Sequence, residues 1–280
     1  MLLNIVKHCI LMLNTFQETD RRKMKLGEKK IIQSVHRAIE ILTLFRTQDQ
    51  TELSLTEISC LLSLNKSTVF HLISTLEQSN FVEKTSRSGK YRLGLALFSL
   101  GNIVGGQMDL RKQAIPFLKN IVEKFHQTVH LAILDQDQAF YIEKVKGTAT
   151  IHTSSQVGKY KPLHCTAIGK VLMASLTEDS INRIIKEKGL PRFTPSTICE
   201  PEQLKKELLT IREQGYALDN TEIEPELFCV ATPIRDHSGE VVAAISISGS
   251  LSRISISNSH IYVQELKKVS HEISLSLGYK

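Results

Sequence analysis

The segment from Ser54 to Leu76 constrains this chain most, because two short amphipathic patterns there are separated by only three turn residues. In Ser54-Leu55-Thr56-Glu57 a hydroxyl can cap a helix start while a glutamate three residues on bonds back to it. The helix so started carries Leu55, Ile58, Leu61 and Leu62 inward, and Ser63-Leu64-Asn65 turns the chain. A second helix begins near Lys66 and buries Val69, Leu72, Ile73 and Leu76. Two short helices joined by a tight turn form a helix-turn-helix.

The flanking patterns complete a small domain. From Gln33 the residues Val35, Ala38, Ile39, Leu42 and Phe45 recur at helical spacing, predicting a first helix with one buried stripe, ended by the polar run Thr47 to Glu52. Phe81-Val82-Glu83-Lys84 and Tyr91-Arg92-Leu93 read as strands joined by the polar loop Thr85 to Lys90, with Ser88-Gly89 supplying the turn. That hairpin is a wing. Gly94 to Gly106 is apolar and helix-like despite glycines at 94, 101, 105 and 106, which predicts a linker helix packed on something outside its own domain. A homodimer contact is the economical reading.

A recognition helix buries one face and offers hydrogen-bonding side chains on the other, near its N-terminus. Lys66, Ser67, Thr68, Phe70 and His71 occupy that outer face. Ser67 and Thr68 can bond base edges or phosphates, Phe70 suits a thymine methyl, and Lys66 attracts phosphate. Arg87 and Lys90 on the wing, with Thr56 at the first helix, complete the expected DNA contacts. The competing reading is a protein–protein adaptor that uses the same shape.

Beyond Asp109 the pattern changes to mixed α/β. A helix is predicted over about Leu110 to Phe125, with strands around Val129–Leu134 and Ala139–Val145 and an extended segment near Thr150–Ser155. Helices follow at Ala167–Ala174, Thr177–Lys188 and Pro201–Gln214, and strands at Cys229–Ile234 and Val241–Ser248, turned by Asp236-His237-Ser238-Gly239. Ser246 and Ser248, two apart on one strand, share a face and can grip one ligand.

With 280 residues, 41% of them hydrophobic, the chain can fill two cores. Its net charge of +6 leans N-terminal, with 14 Lys/Arg against 10 Asp/Glu before Leu110 and 21 against 19 after it. Cys9, Cys60, Cys165, Cys199 and Cys229 are odd in number and form no C-x-x-C pair, which argues against a disulfide framework and for a reducing, cytoplasmic setting. The apolar opening Met1 to Phe16 is interrupted by polar residues and is too short to span a bilayer, so no membrane role is expected. Residues 1–28 are expected to be a tail, either untranslated as far as Met24 or disordered.

Several of these runs are similar to those of one family. Gln33-Ser34-Val35-His36-Arg37-Ala38-Ile39-Glu40-Ile41-Leu42, Leu53-Ser54-Leu55-Thr56-Glu57-Ile58, Lys66-Ser67-Thr68-Val69 and Tyr91-Arg92-Leu93-Gly94 resemble the winged domain of IclR-family bacterial transcriptional regulators. In the second half, Thr128-Val129-His130-Leu131-Ala132, Pro162 to Lys170, Gly215-Tyr216-Ala217-Leu218-Asp219 and Ala244 to Gly249 resemble the same family. The resemblance covers about Ile31 to Leu277. It implies an α+β protein: a winged helix-turn-helix at 29–93, a linker helix at 94–109 and a GAF-like α/β effector-binding domain at 110–280. It implies a repressor that binds a double-stranded operator as a homodimer or dimer of dimers, under the control of an organic acid or sugar-acid catabolite.

By motif position the resemblance places effector contacts at Ala167, Ile168, Asp219, Leu227, Cys229, Ser246 and Ser248. The N–H groups of Ala167 and Ile168 open a helix, which suits an anion. Relatives often have a smaller residue than Ile168, whose side chain either points away or narrows the pocket. Ser250 stands where a proline is frequent. His130, His152 and His164 lack familiar ligand spacing, so no metal and no cofactor are expected. A rival enzyme reading makes Cys229 a nucleophile, His164 its base and Asp219 the orienter, but Leu-Phe-Cys-Val-Ala around Cys229 contains no exposing turn. No enzyme is expected.

Overall fold

The computed structural model describes residues 31–47, 51–148 and 155–280. Its chain divides into two compact units between Gly101 and Asn102. The tail over 1–28, Met24, His152 and most of the extended segment expected near Thr150–Ser155 lie outside the described residues.

The first unit holds helices α1 (Gln33–Thr47), α2 (Leu55–Leu62) and α3 (Lys66–Gln78), then strands β1 (Val82–Lys84) and β2 (Tyr91–Leu93). The expected capping box is present at α2: the Glu57 N–H donates to Ser54 Oγ at 3.2 Å, and the Ser54 N–H donates to Glu57 Oε2 at 2.6 Å. Ser63 adopts the left-handed region at φ 53°, which lets the chain leave α2 and enter α3 three residues later. Ile41, Phe45, Leu53, Ile58, Val69, Ile73, Val82 and Tyr91 form the core. β1 and β2 pair antiparallel, and Leu53 bridges to Tyr91 outside them. Gly94 is required here, since a Cβ would lie 2.1 Å from the Asn80 carbonyl oxygen.

The α1 stripe differs from the expectation. Ile41 and Phe45 are buried, whereas Val35 and Ile39 are exposed in this chain. Two apolar rows run along α1, and Ile39 lies two residues from Ile41, on the far side of a 3.6-residue turn. Helix α4 (Leu95–Gln107) follows the wing and buries none of its residues, with Leu95, Phe98, Leu100, Ile103 and Val104 all exposed.

The second unit contains α5 (Asp109–Phe125), β3 (Thr128–Asp135), β4 (Gln138–Val145), β5 (Tyr160–Lys161), α6 (Ala167–Ala174), α7 (Glu178–Lys188) and α8 (Pro201–Gln214). It ends with β6 (Ala217–Asn220), β7 (Leu227–Arg235), β8 (Val241–Ser250) and α9 (Ser259–Ser276). The six strands form one antiparallel sheet in the order β5-β4-β3-β8-β7-β6. Strand parity sorts its faces. Val129, Leu131, Ile245 and Ile247 pack with α5 and α9, while Ala132 and Ala244 pack with α6, α7 and α8. Pro233 is tolerated within β7 because β6 pairs only as far as Ala231, leaving that edge without a demand for its missing N–H. Strands β5 and β6 and the whole of α9 were not foreseen from the sequence.

Candidate functional site

Two sites follow from these units, each built within one of them. On the first, α3 turns Val69 and Ile73 into the core, which leaves Lys66, Ser67, Phe70 and His71 exposed and Thr68 half-buried along one outer face. Phe70 is 52% exposed, unusual for an apolar ring, and its edge meets the His71 ring at 5.9 Å between centroids. Thr56 is exposed on α2 and Arg87 at the wing tip. Lys90 is placed differently from a free wing cation: its Nζ lies 3.4 Å from Glu57, whose carboxyl is held below its usual range chiefly by the Ser54 N–H. The capping box therefore also ties the wing to α2.

On the second unit, a small cavity of about 30 Å³ lies where the start of α6 meets the sheet. All seven sequence-expected effector residues line it: Ala167 and Ile168 from α6, Asp219 from β6, Leu227 and Cys229 from β7, and Ser246 and Ser248 from β8. Register explains the gathering, because Asp219 pairs with Cys229, Cys229 with Ser248, and Ser246 with His130 across adjacent strands. Thr166 caps α6, accepting the Gly169 N–H at 3.0 Å, so the first-turn N–H groups of Ala167 and Ile168 have no helical carbonyl behind them. Gly169 is required for this close approach: a Cβ would fall 2.6 Å from the Leu163 backbone. Ile168 is buried in the core cluster and is also among the residues lining the cavity.

Sequence reasoning missed that His130, Tyr141, Ser155 and Lys161 also line the cavity. In the sequence His130 stands out in the Thr128-Val129-His130-Leu131-Ala132 run and as a histidine without metal-ligand spacing, not as a cavity residue. Its Nε2 lies 2.7 Å from Ser155 Oγ and its Nδ1 3.4 Å from Ser248 Oγ, and burial, with Lys144 and Lys161 adding, pushes its pKa down to about 3. The ring is neutral and bridges two hydroxyls. Its parity on β3, beside Ser246 on β8, was the available signal.

Behind the cavity runs a buried ionic chain. Lys170, 1% exposed, donates to Glu222 at 2.6 Å and to Glu207 at 3.1 Å. Burial opposes its charge, but the two glutamates outweigh that and raise its pKa. The Glu222 N–H donates to Asp219 Oδ1 at 2.8 Å, and Thr197 Oγ1 donates to the Glu222 carbonyl at 2.6 Å, fixing this loop. Burial first, then Glu222, pushes Asp219 up to about 7.

The same geometry removes the nucleophile reading. Burial, then Asp219, pushes the Cys229 thiol well above its ordinary range, so it is no thiolate. His164 bonds the Pro191 carbonyl at 3.0 Å and is not part of the cavity wall. No group of three or more His, Cys, Asp or Glu side chains among the described residues could hold a metal ion.

A winged helix-turn-helix followed by a separate unit with a small polar-lined cavity points to one class, a DNA-binding transcriptional regulator. The model of the IclR helix-turn-helix domain matches residues 34–86, and that of the bacterial transcriptional regulator IclR C-terminal domain matches 104–275. The chain belongs to the IclR family. It is 41% identical over 249 residues to the HTH-type transcriptional regulator XynR of Escherichia coli, covering 89% of this chain and 98% of that protein. It is 31% identical to the transcriptional repressor IclR of the same organism, covering 88% and 90%. Among solved structures, an IclR homologue from Microbacterium hydrocarbonoxydans complexed with 4-hydroxybenzoate superposes with a TM-score of 0.78 at 25% identity, covering 87% of this chain and 98% of that one.

Proposed function

We propose that this protein is a repressor whose affinity for a palindromic operator is set by a small organic acid or sugar-acid catabolite bound in the second unit. The observation that carries the reading is the cavity lining itself, which combines a helix N-terminus, the hydroxyls of Ser246 and Ser248, and the acid Asp219. Helix N-termini favour anions through their free N–H groups and the aligned peptide dipoles. The relative bound to 4-hydroxybenzoate, an aromatic acid, supports the ligand class. The repressor name of another relative supports the direction of control.

In this reading residues 29–93 bind DNA, 94–109 link, and 110–280 sense the effector. Lys66, Ser67, Thr68, Phe70 and His71 enter the major groove, with Thr56, Arg87 and Lys90 on the flanking backbone. The exposed apolar residues of α4 and the outer row of α1 are the contact surfaces of a homodimer, which is the basic unit of a dimer of dimers. A cytoplasmic location fits the four free cysteines of the described residues. The effector acts by preferring one of two arrangements of the dimer, by as much as its affinities for the two differ.

The test is a mobility shift on the gene's own upstream DNA across a salt series, with and without keto, hydroxy and aromatic acids. Specific binding that weakens steeply with salt and changes with one acid is the expected result. Salt-insensitive or absent DNA binding would return the winged domain to an adaptor role.

A further inference from the structure

Resting on the reading of the cavity as the effector site, we propose that Asp219 holds the effector as a neutral acid, donating a hydrogen bond to it. Binding of a monocarboxylate thereby draws a proton from solvent onto this side chain.

The argument starts from hydrogen-bond accounting. The Asp219 side chain has no exposed surface; Oδ1 accepts the Glu222 N–H, and Oδ2 has no hydrogen-bond partner among the described residues. From β7 the Cys229 thiol, a weak donor, reaches toward the Asp219 carboxyl, as does the Ile223 N–H, yet neither closes a hydrogen bond on Oδ2. A buried carboxylate oxygen without a donor is costly, and such an atom on the wall of a cavity calls for a partner inside it.

The charges around Asp219 do not supply that partner. Glu222 and Glu224 follow it on its own strand-to-strand loop, and both are acidic. Lys170 comes from α6, but Glu222 and Glu207 already share it. Lys161 comes from β5 and lies 3.9 Å from Glu224. Tyr141 from β4 and Cys165 before α6 are both kept neutral by burial, and His130 from β3 is a neutral imidazole. Lys170 does act on Asp219, but burial and Glu222 outweigh it, and an effector anion at Ala167 and Ile168 would add a second negative charge to the same enclosure.

Protonation resolves both problems. It removes the repulsion and turns Oδ2 from an unmet acceptor into a donor aimed at the ligand. The cavity lining then presents donors from the α6 N–H groups, the Asp219 acid, and the hydroxyls of Ser246 and Ser248. Such a site selects a ligand rich in acceptors, a carboxylate carrying a further carbonyl or hydroxyl oxygen. Burial already places Asp219 near pH 7, so the free protein holds the proton part of the time and the bound anion completes the transfer.

The test is calorimetric titration of the full-length protein with pyruvate, lactate and gluconate from pH 6 to 8.5, in phosphate and in Tris, whose ionisation heats differ. We expect net proton uptake near pH 7.5 and an affinity that falls about tenfold per pH unit above 7. The Asp219→Asn variant, which keeps a donor but cannot titrate, should lose the pH dependence. Binding that stays flat to pH 8.5 with no proton uptake overturns the proposal and leaves the acid-effector reading standing. No binding of any of the three acids at any pH overturns that reading, and the proposal with it. Should Asp219→Asn not fold, the two-buffer comparison on the unaltered protein decides the matter.

Discussion

At the residue scale, two buried groups of the cavity titrate in opposite senses. Asp219 moves from 3.8 to about 7 on folding, so its contribution to stability is complete below pH 4 and is lost as pH rises through 7. His130 moves from 6.5 to about 3, so its contribution is complete above pH 6.5 and is lost as pH falls toward 3. Between pH 4 and 6.5 the two slopes oppose each other. Asp219→Asn removes one of them, and its stabilising effect is expected to grow by on the order of 4 kcal/mol between pH 4 and pH 8, measured by urea unfolding. Lys170→Met would leave Glu222 buried without a cation and should cost about 3–5 kcal/mol, with partial recovery in the Lys170→Met, Glu222→Gln pair. Neither charge state was legible in the sequence. Asp219 sits in Tyr-Ala-Leu-Asp-Asn, and nothing in those neighbours reveals that Lys170, 49 positions earlier, is taken up by two glutamates.

Among the elements, those that local chemistry specifies were readable. The capping box fixed the start of α2, and Ser54→Ala is expected to destabilise the winged unit by about 1 kcal/mol, whereas Glu57→Gln keeps the back-bond to the Ser54 N–H. Both can be compared by thermal melts followed by circular dichroism. Helix α4 was readable because its apolar run has no polar side to pair with solvent. Phe98, 69% exposed, is its largest apolar ring. Replacing Leu95 and Phe98 by glutamate should convert a dimer to a monomer in light scattering, and an unchanged mass would remove α4 from the interface. Helix α9 escaped because its apolar positions Val263, Leu266, Val269 and Ile273 alternate with buried serines. Serine is a weak helix former whose hydroxyl competes for backbone groups. Here Ser274 donates to the Ser270 carbonyl at 2.6 Å within the helix and accepts the Arg235 N–H at 2.9 Å, a bond that exists only once the helix lies on β7. β5 and β6, of two and four residues, are too short for a period to show.

For the whole molecule, the expected behaviour is salt-dependent DNA binding under effector control. Arg87→Ala should lower the slope of log affinity against log salt by about 0.9 per protomer, read by fluorescence anisotropy on duplex DNA, if Arg87 contacts one phosphate. Ser67→Ala and Thr68→Ala should instead reduce discrimination between operator and unrelated sequence. The sequence by itself determined the features that depend on near neighbours: a capped helix-turn-helix, a wing, an uncovered linker helix, and two serines on one strand face. Those rest on spacings of two to four residues, which the 3.6 and 2.0 periods convert directly into geometry. Only the tertiary structure decided which surfaces lose water and which charges meet. It placed His130 beside Ser248, turned Lys90 onto Glu57, exposed the outer row of α1, and left Asp219 Oδ2 without a hydrogen-bond partner among the described residues. Desolvation and pairing are set by residues far apart in the chain, so no local pattern encodes them.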